Sequence, residues 1–196
     1  VSRLNKIIDF DEDLGIVTLQ PGVTQQILHE YLTKRNLPFV TPVHGGGPNC
    51  SIIGNALERG YGITPIADHF SAVTTITAVL GDGTMYRSAL EETGGVLVDR
   101  AYKYGLGPYL DGMFSQGNFG IVVQASIVLA RKPARATVMF FTLRNSEDFT
   151  NVVKKLPKLF SALGSTIGGI NLMNQERVDA MVQDTTSKSN TPPWTG

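Results

Sequence analysis

A run of three consecutive glycines shortly before a short predicted helix limits the possible structures of this chain more than any other stretch. The stretch reads HGGGPNCSIIGNALERGYG over residues 44–62, with the run at Gly45–Gly47, a helix cap at Ser51 and a helix stop at Gly60. Glycine lets the backbone approach a ligand closely, and the first N–H groups of a helix lack partners within it. The pattern therefore suits a phosphate or another negatively polarised cofactor atom. A plain connection between two elements fits the same residues equally well.

Three familiar motifs do not account for this stretch. A P-loop is excluded, because no G-x-x-x-x-G-K-[ST] pattern occurs and no lysine lies between Lys34 and Lys103. The dinucleotide fingerprint of a Rossmann unit fits poorly, since the loop does not directly follow a long buried strand. Ser51 lies between Cys50 and Ile52, so it does not form the nucleophile elbow G-x-S-x-G.

Composition narrows the class of partner. The 196 residues include 17 basic and 17 acidic side chains, and no apolar run approaches the ~20 residues of a membrane span. We therefore expect neither nucleic acid nor a membrane as partner. A single cysteine, Cys50, excludes an internal disulfide framework and favours a reducing, cytoplasmic compartment. The chain starts at Val1 without a signal peptide and stops just after a polar segment, so we expect a piece of a longer protein.

Hydrophobic periodicity predicts mixed helices and strands as far as residue 130. Thr24 is the expected cap of a helix that ends near Asn36 and carries its apolar residues on one face. Glycine and proline positions set the other boundaries. We predict two strands within 7–20, a hairpin of 72–80 and 84–88, irregular chain over 90–107, a helix over 108–116 and a strand over 120–130.

The composition changes near Arg135, where we place a domain boundary between residues 1–134 and 135–196. The second part predicts a β-α-β unit: a strand over 136–143, a helix over 146–163 capped by Ser146, and a strand over 165–173. A further helix is expected from Asn174 to about Val182.

The titratable side chains do not show the spacing of a metal site. Two or three ligands at helical or hairpin spacing would be needed, and the three histidines lack it. Asp68 and His69 are candidate site residues in a turn-rich segment, although turn capping by Asp68 is the simpler interpretation. A group of aromatic residues around two glycines is a candidate pocket lining or ordinary core: Tyr102, Tyr104 and Tyr109.

Several longer motifs, in order and at similar spacing, resemble one enzyme family. They read GNALERGYGITPIADHF (54–70), AVLGDGTMYR (78–87) and YKYGLGPYLDGMFSQGNFGIVVQ (102–124). Preceded by PGVT at 21–24, they are similar to the flavin-dependent oxidoreductases of the vanillyl-alcohol oxidase and p-cresol methylhydroxylase type. The resemblance covers roughly residues 4–134. Ile66-Ala67 stand where relatives often have Tyr-Gly, so an acidic residue near the flavin is not assigned here.

The resemblance implies an α+β fold: the second part of a PCMH-type FAD-binding domain, followed from residue 135 by the start of a ferredoxin-like α/β cap domain. It implies that the pyrophosphate-loop lobe lies upstream of Val1 and that most catalytic side chains lie downstream of Gly196, so no catalytic residue is assigned. It places the FAD contacts at Pro21, Gly22, Val23, Gly47, Ser51, Gly54, Asn55, Glu58, Gly60, Gly62, Ile121 and Val122.

The function implied is that of an oxidoreductase that moves a hydride from a small alcohol or phenolic substrate to FAD. An FAD-linked oxidase of hydroxy acids, alditols or lactones is the nearer alternative, and a non-catalytic α/β binding module is the alternative of another class. A homo-oligomer or a cytochrome-type electron acceptor is the expected macromolecular partner.

Overall fold

A five-stranded antiparallel sheet forms the centre of the structure. In the computed structural model, which describes residues 3–63, 65–143 and 147–180, the strand order is β1-β2-β5-β3-β4. The strands are β1 (Ile7–Asp11), β2 (Ile16–Leu19), β3 (Val73–Leu80), β4 (Met85–Tyr86) and β5 (Gly120–Val128).

The central strand β5 joins two locally formed hairpins. Its register places Ala125 opposite Leu19 of β2 and opposite Ile76 of β3. The β3–β4 hairpin was predicted as such, and β1 and β2 were predicted as two strands, because β-branched runs there are separated by turns rich in Asp and Gly. Because β2 and β3 both pair with β5, the β1–β2 hairpin lies in the same sheet as the β3–β4 hairpin.

The helices are α1 (Gln25–Lys34), α2 (Ile52–Leu57), α3 (Ala89–Glu92), α4 (Val96–Ala101) and α5 (Glu147–Leu163). Of these, α1 and α2 pack their apolar residues against the sheet. Leu28 of α1 and Ile53 of α2 are fully buried in one cluster with Leu19 and Ile76 of the sheet. The predicted cap of α1 is confirmed, because the Thr24 side chain accepts a hydrogen bond from the Ile27 N–H.

Two predictions between residues 90 and 117 are wrong. Residues 90–107 are not irregular throughout, because α4 and most of α3 lie there. The predicted helix over 108–116 is reduced to a 3-10 turn, Asp111–Phe114. Gly107 has a φ of +74° and Gly112 adds backbone entropy, so the segment turns sharply instead of propagating a helix.

Beyond β5 the predicted β-α-β unit appears only as its helix. Residues 136–143 and 167–173 are not strands and are mostly exposed, whereas α5 spans nearly the predicted range. A strand needs a neighbour for its N–H and C=O groups, and the described chain offers none at this point. The helix expected from Asn174 is helical over 175–180; Ser146 and residues past 180 lie outside the described residues. In the described ranges, no helix has the length and apolar character required to cross a bilayer.

The core predicts a clear difference between two apolar truncations. Ile76→Ala should lower the free energy of unfolding by about 2–5 kcal/mol, because Ile76 is fully buried at the centre of the sheet. Leu97→Ala, at a residue 77% exposed on α4, should change it by no more than about 0.5 kcal/mol. Equilibrium urea unfolding measures both, and equal effects would contradict the placement of the core.

Candidate cofactor-binding site

A short backbone ladder joins the PGVT segment to the glycine stretch. The N–H of Ile52 donates to the carbonyl of Val23 (3.2 Å), and the N–H of Gln25 donates to the carbonyl of Cys50 (3.1 Å). A third bond runs from the Gln26 N–H to the Pro48 carbonyl (2.9 Å). Two of the sequence-predicted contact segments are therefore side by side, although more than twenty residues separate them in the chain.

Ser51 fastens this junction with its side chain. Its Oγ donates to the carbonyl of Pro21 (2.6 Å) and accepts from the N–H of Gly54 (2.8 Å). The second bond is the helix cap that the sequence predicts for α2. The hydroxyl is thus engaged inside the protein, so its first role is to hold the PGVT segment against α2.

Gln25 is a structural member of the site that the sequence did not single out. Its side-chain nitrogen donates to the Gly47 carbonyl (2.7 Å), and its side-chain oxygen accepts from the His44 N–H (3.0 Å). Gln25 shares the buried stripe of α1 with Leu28 and Leu32, at spacings of three and seven residues. A polar residue on a buried helical stripe is the sequence signal that would have identified it.

The glycine loop presents backbone to the outside. Gly47 has a φ of +90°, and a Cβ added at Gly45 or Gly47 would meet no atom within 4 Å. The N–H groups of both residues make no hydrogen bond within the described residues. Open glycine backbone with unpaired donors fits an oxygen-rich ligand such as FAD. Because α2 has fewer than two turns, its dipole adds little, and the loop backbone is the better candidate than the helix entrance.

Next to the glycine stretch, the partly buried Asn55 pairs with the buried His69. The Asn55 Nδ2 lies 2.7 Å from the His69 Nδ1, and His69 is 97% buried. Two further predicted residues pack against this pair at close range. A Cβ at Gly60 would lie 2.1 Å from the Asn55 Oδ1, and a Cβ at Gly62 would lie 2.5 Å from the His69 Nε2. Gly62 is therefore required by packing, because the Val43 carbonyl oxygen also occupies this space. A Cβ at Gly60 would displace the Asn55 amide, which is directed into the protein towards His69.

The remaining predicted contacts lie farther along the chain. Glu58 is the exposed C-cap of α2, and its carbonyl accepts from the Gln116 side chain (3.1 Å). Ile121 and Val122 lie on β5, the first exposed and the second buried. They precede Ala125, the residue opposite the end of β2, by four and three positions. The structure thus brings the glycine loop and the PGVT segment into direct contact. Ile121 and Val122 instead lie on β5, the strand that pairs with β2.

A second polar cluster lies between β4 and the 3-10 turn. The Tyr86 hydroxyl donates to the Asp111 carboxylate (2.5 Å), and burial raises the pKa of Asp111 to about 6. Lys103 lies over the Tyr109 ring and donates to the carbonyls of Phe70 (2.8 Å) and Ser71 (3.0 Å). This cluster fixes the turn that carries Asp68 and His69. Of its members, Tyr109 was a candidate pocket residue in the sequence, whereas Tyr86, Lys103 and Asp111 were not singled out there.

Other candidate residues have simple structural roles. The Asp68 carboxylate accepts from the Ser71 N–H (3.1 Å), which is the turn capping expected of it. Tyr102 and Tyr104 are exposed and form edge-to-face contacts in series with Tyr109. In the described residues, no group of three or more His, Cys, Asp or Glu side chains has the geometry to hold a metal ion.

The chain is similar to known proteins over most of its length. Residues 1–89 match a family model described as an FAD binding domain. Over 159 residues the chain is 33% identical to 1'-carboxy-chondrochloren decarboxylase of Chondromyces crocatus, covering 80% of this chain and 29% of that protein. It is 30% identical to the 4-cresol dehydrogenase [hydroxylating] flavoprotein subunit of Pseudomonas putida, covering 81% and 30%. The crystal structure of p-cresol methylhydroxylase with substrate bound superposes with a TM-score of 0.75 at 29% identity, covering 83% of this chain and 32% of that one.

The first 89 residues therefore form part of an FAD binding domain, and the chain as a whole is similar to p-cresol methylhydroxylase-type FAD-binding proteins. The family resemblance expected from the motifs is confirmed, and so are the FAD-binding character and the mixed fold with an antiparallel sheet. The chain spans about 30% of the length of the curated relatives it matches. The candidate site in the described residues consists of the glycine loop, the PGVT segment and the Asn55–His69 pair.

Gly62, where a Cβ has no room, and Gly45, where a Cβ meets nothing, give a matched test of the packing. Gly62→Ala should lower the free energy of unfolding by about 1–3 kcal/mol, because the new Cβ would lie 2.0 Å from the Val43 carbonyl oxygen as well as against His69. Gly45→Ala adds the same atom where nothing lies within 4 Å and should change it by less than about 0.5 kcal/mol. Thermal unfolding compares the two, and a neutral Gly62→Ala would contradict the packing described here.

Proposed function

We propose that the protein containing this chain is an FAD-dependent oxidoreductase that transfers a hydride from a small alcohol or phenolic substrate to the flavin. The observation that carries the proposal is the backbone ladder that sets the open glycine loop beside the PGVT segment in a chain that matches an FAD binding domain. The phenolic substrate is supported by the name of the 4-cresol dehydrogenase, which matches over four-fifths of this chain.

The chain's own contribution is to hold the cofactor. We propose that the backbone of Gly45–Gly47 and of Pro21–Val23 would contact FAD, with Glu58, Ile121 and Val122 at the margin of the site. We call this backbone, Gly45–Gly47 with Pro21–Val23, the cofactor wall. It would be kept in place by residues whose side chains or Cα atoms are engaged within the protein: Ser51, Asn55, Gly60 and Gly62. FAD, when bound, supplies the electron-accepting ring on which such chemistry depends. Gly54 belongs with the wall because its N–H is held by the Ser51 cap.

We further propose that residues 135–196 begin a substrate-covering domain. The support is the apolar surface that the described part of this region leaves uncovered: Phe140 and Phe141 are 93% and 84% exposed. Helix α5 also has exposed apolar residues, among them Phe149 and Phe160. Large apolar side chains in this number normally pack against further protein. This surface is consistent with strands that pair only with chain outside the described residues.

A partner protein is part of the same proposal. The 4-cresol dehydrogenase chain is named as a flavoprotein subunit, which places it in a larger assembly. We propose that this protein likewise forms a homo-oligomer or meets a cytochrome-type electron acceptor.

The proposal predicts flavin binding that depends on the glycine loop. The full-length protein should show the visible absorbance of a flavin, either as purified or after addition of FAD. Gly47→Val should weaken FAD binding at least about tenfold, because a branched side chain would stand on the contacting backbone at a φ of +90°. The measurement is flavin fluorescence titration of the deflavinated protein.

The control is Gly83→Val in the β3–β4 turn, where φ is +85° and nothing lies within 4 Å. It introduces the same backbone strain far from the loop in sequence, so it should lower stability while FAD affinity is retained. If the full-length protein takes up no FAD, the enzyme proposal fails and a non-catalytic binding module is favoured instead.

A further inference from the structure

Two histidine rings connect α2 to the glycine loop. His69, at the end of the turn-rich segment, is bonded through Nδ1 to Asn55 of α2. His44, the first residue of the glycine stretch, accepts from the Gly46 N–H through its own Nδ1 (3.2 Å). The two rings meet edge to face, with centroids 6.3 Å apart. The side chains thus form a series that runs from Asn55 through His69 and His44 to Gly46.

The hydrogen bonds require both rings to be neutral. A ring nitrogen that accepts a bond carries no proton, so Nδ1 of His44 is unprotonated where Gly46 donates to it. With the Asn55 amide nitrogen facing the ring, the same holds for Nδ1 of His69. A second proton on either ring would set N–H against N–H. The Nε2 atoms of both rings are buried and have no hydrogen-bond partner within the described residues, so a charged form would not be compensated there.

The surroundings of both rings also favour the neutral form, because they lower the pKa of His69 and of His44. Burial lowers the pKa of His69 below its ordinary value, His44 lowers it further, and the Asp68 carboxylate opposes both. Burial also lowers the pKa of His44. The Lys103 ammonium is held nearby on the carbonyls of Phe70 and Ser71, and Asn55 on α2 is uncharged.

We propose that neutral His69 is a positioning residue of the cofactor wall, holding Asn55 on one side and His44 with the glycine loop on the other. The inference rests on the proposed FAD site. It assigns to a buried residue the role of keeping the loop backbone in place. It also makes the wall sensitive to acid, since protonation of either ring breaks the series.

Substitutions at His69 separate this role from simple space filling. At pH 7.5, His69→Leu in the full-length protein should weaken FAD binding at least about tenfold. His69→Asn, which is smaller but keeps a polar atom near the Nδ1 position, should retain affinity to within about threefold. His29→Asn on the exposed face of α1 is the matched control and should leave affinity unchanged. Equal FAD affinity of the wild type and His69→Leu would overturn the proposal, and so would a failure of His69→Asn to exceed His69→Leu.

The pH profile gives an independent readout. A histidine with a lowered folded-state pKa binds protons less well when folded, so stability is full above the unfolded pKa of about 6.5 and falls as the pH drops below it. The Tm of the FAD-free protein should therefore fall more between pH 7.0 and 5.5 in the wild type than in His69→Asn. Asp111 contributes equally to both proteins and cancels in the comparison. Parallel profiles would overturn the proposal.

The two readouts separate the failure of each idea. A protein that takes up no FAD at any pH refutes the proposed function, while the Tm comparison still decides whether the histidine series holds the loop. Normal FAD binding with parallel pH profiles and an unaffected His69→Leu refutes the histidine role alone.

Discussion

The pairing of β5 with two strands at once is the constraint on which the rest of the structure depends. β2 and β5 are about a hundred residues apart in the sequence, yet Ile16–Leu19 and Ala125–Val128 share one antiparallel ladder. Closing so long a loop costs conformational entropy, which the buried cluster of Leu19, Ile76 and the helices must offset. Pairing with β5 fixes the position of the end of β2. The PGVT segment, which follows β2 in the chain, therefore lies beside the glycine loop.

At the candidate site, side chains mainly organise backbone. Ser51, Gln25 and the Asn55–His69 pair all make internal hydrogen bonds. They leave Gly45 and Gly47 with open backbone and with N–H groups that have no partner among the described residues. Such an arrangement costs little reorganisation when a ligand binds, since the donors are already held in place. Glycines also occur in two different settings here. Gly45 and Gly47 face open space, whereas Gly60 and Gly62 lie where a Cβ would meet neighbouring atoms.

Much of the fold followed from local signals. The caps at Thr24 and Ser51, the two hairpins and the strand β5 are read from short patterns whose physics is contained within a few residues. The errors occurred where local preference was weak or a partner was missing. Residues 108–116 have too much glycine and proline to propagate a helix. Residues 136–143 have strand composition but no neighbouring strand in the described chain.

The family resemblance, the positions of the glycines and the local caps can all be read from the residues, because ordered motifs and short-range backbone chemistry lie along the chain. What those residues touch depends on how the elements pack. The tertiary structure placed Gln25 under the loop, turned Asn55 inward to His69 and showed that Gly62 is a packing requirement. These contacts depend on which elements meet across the sheet and on the direction of each side chain. Neither quantity has a local pattern, so the glycine stretch could be recognised from sequence but its internal support could not.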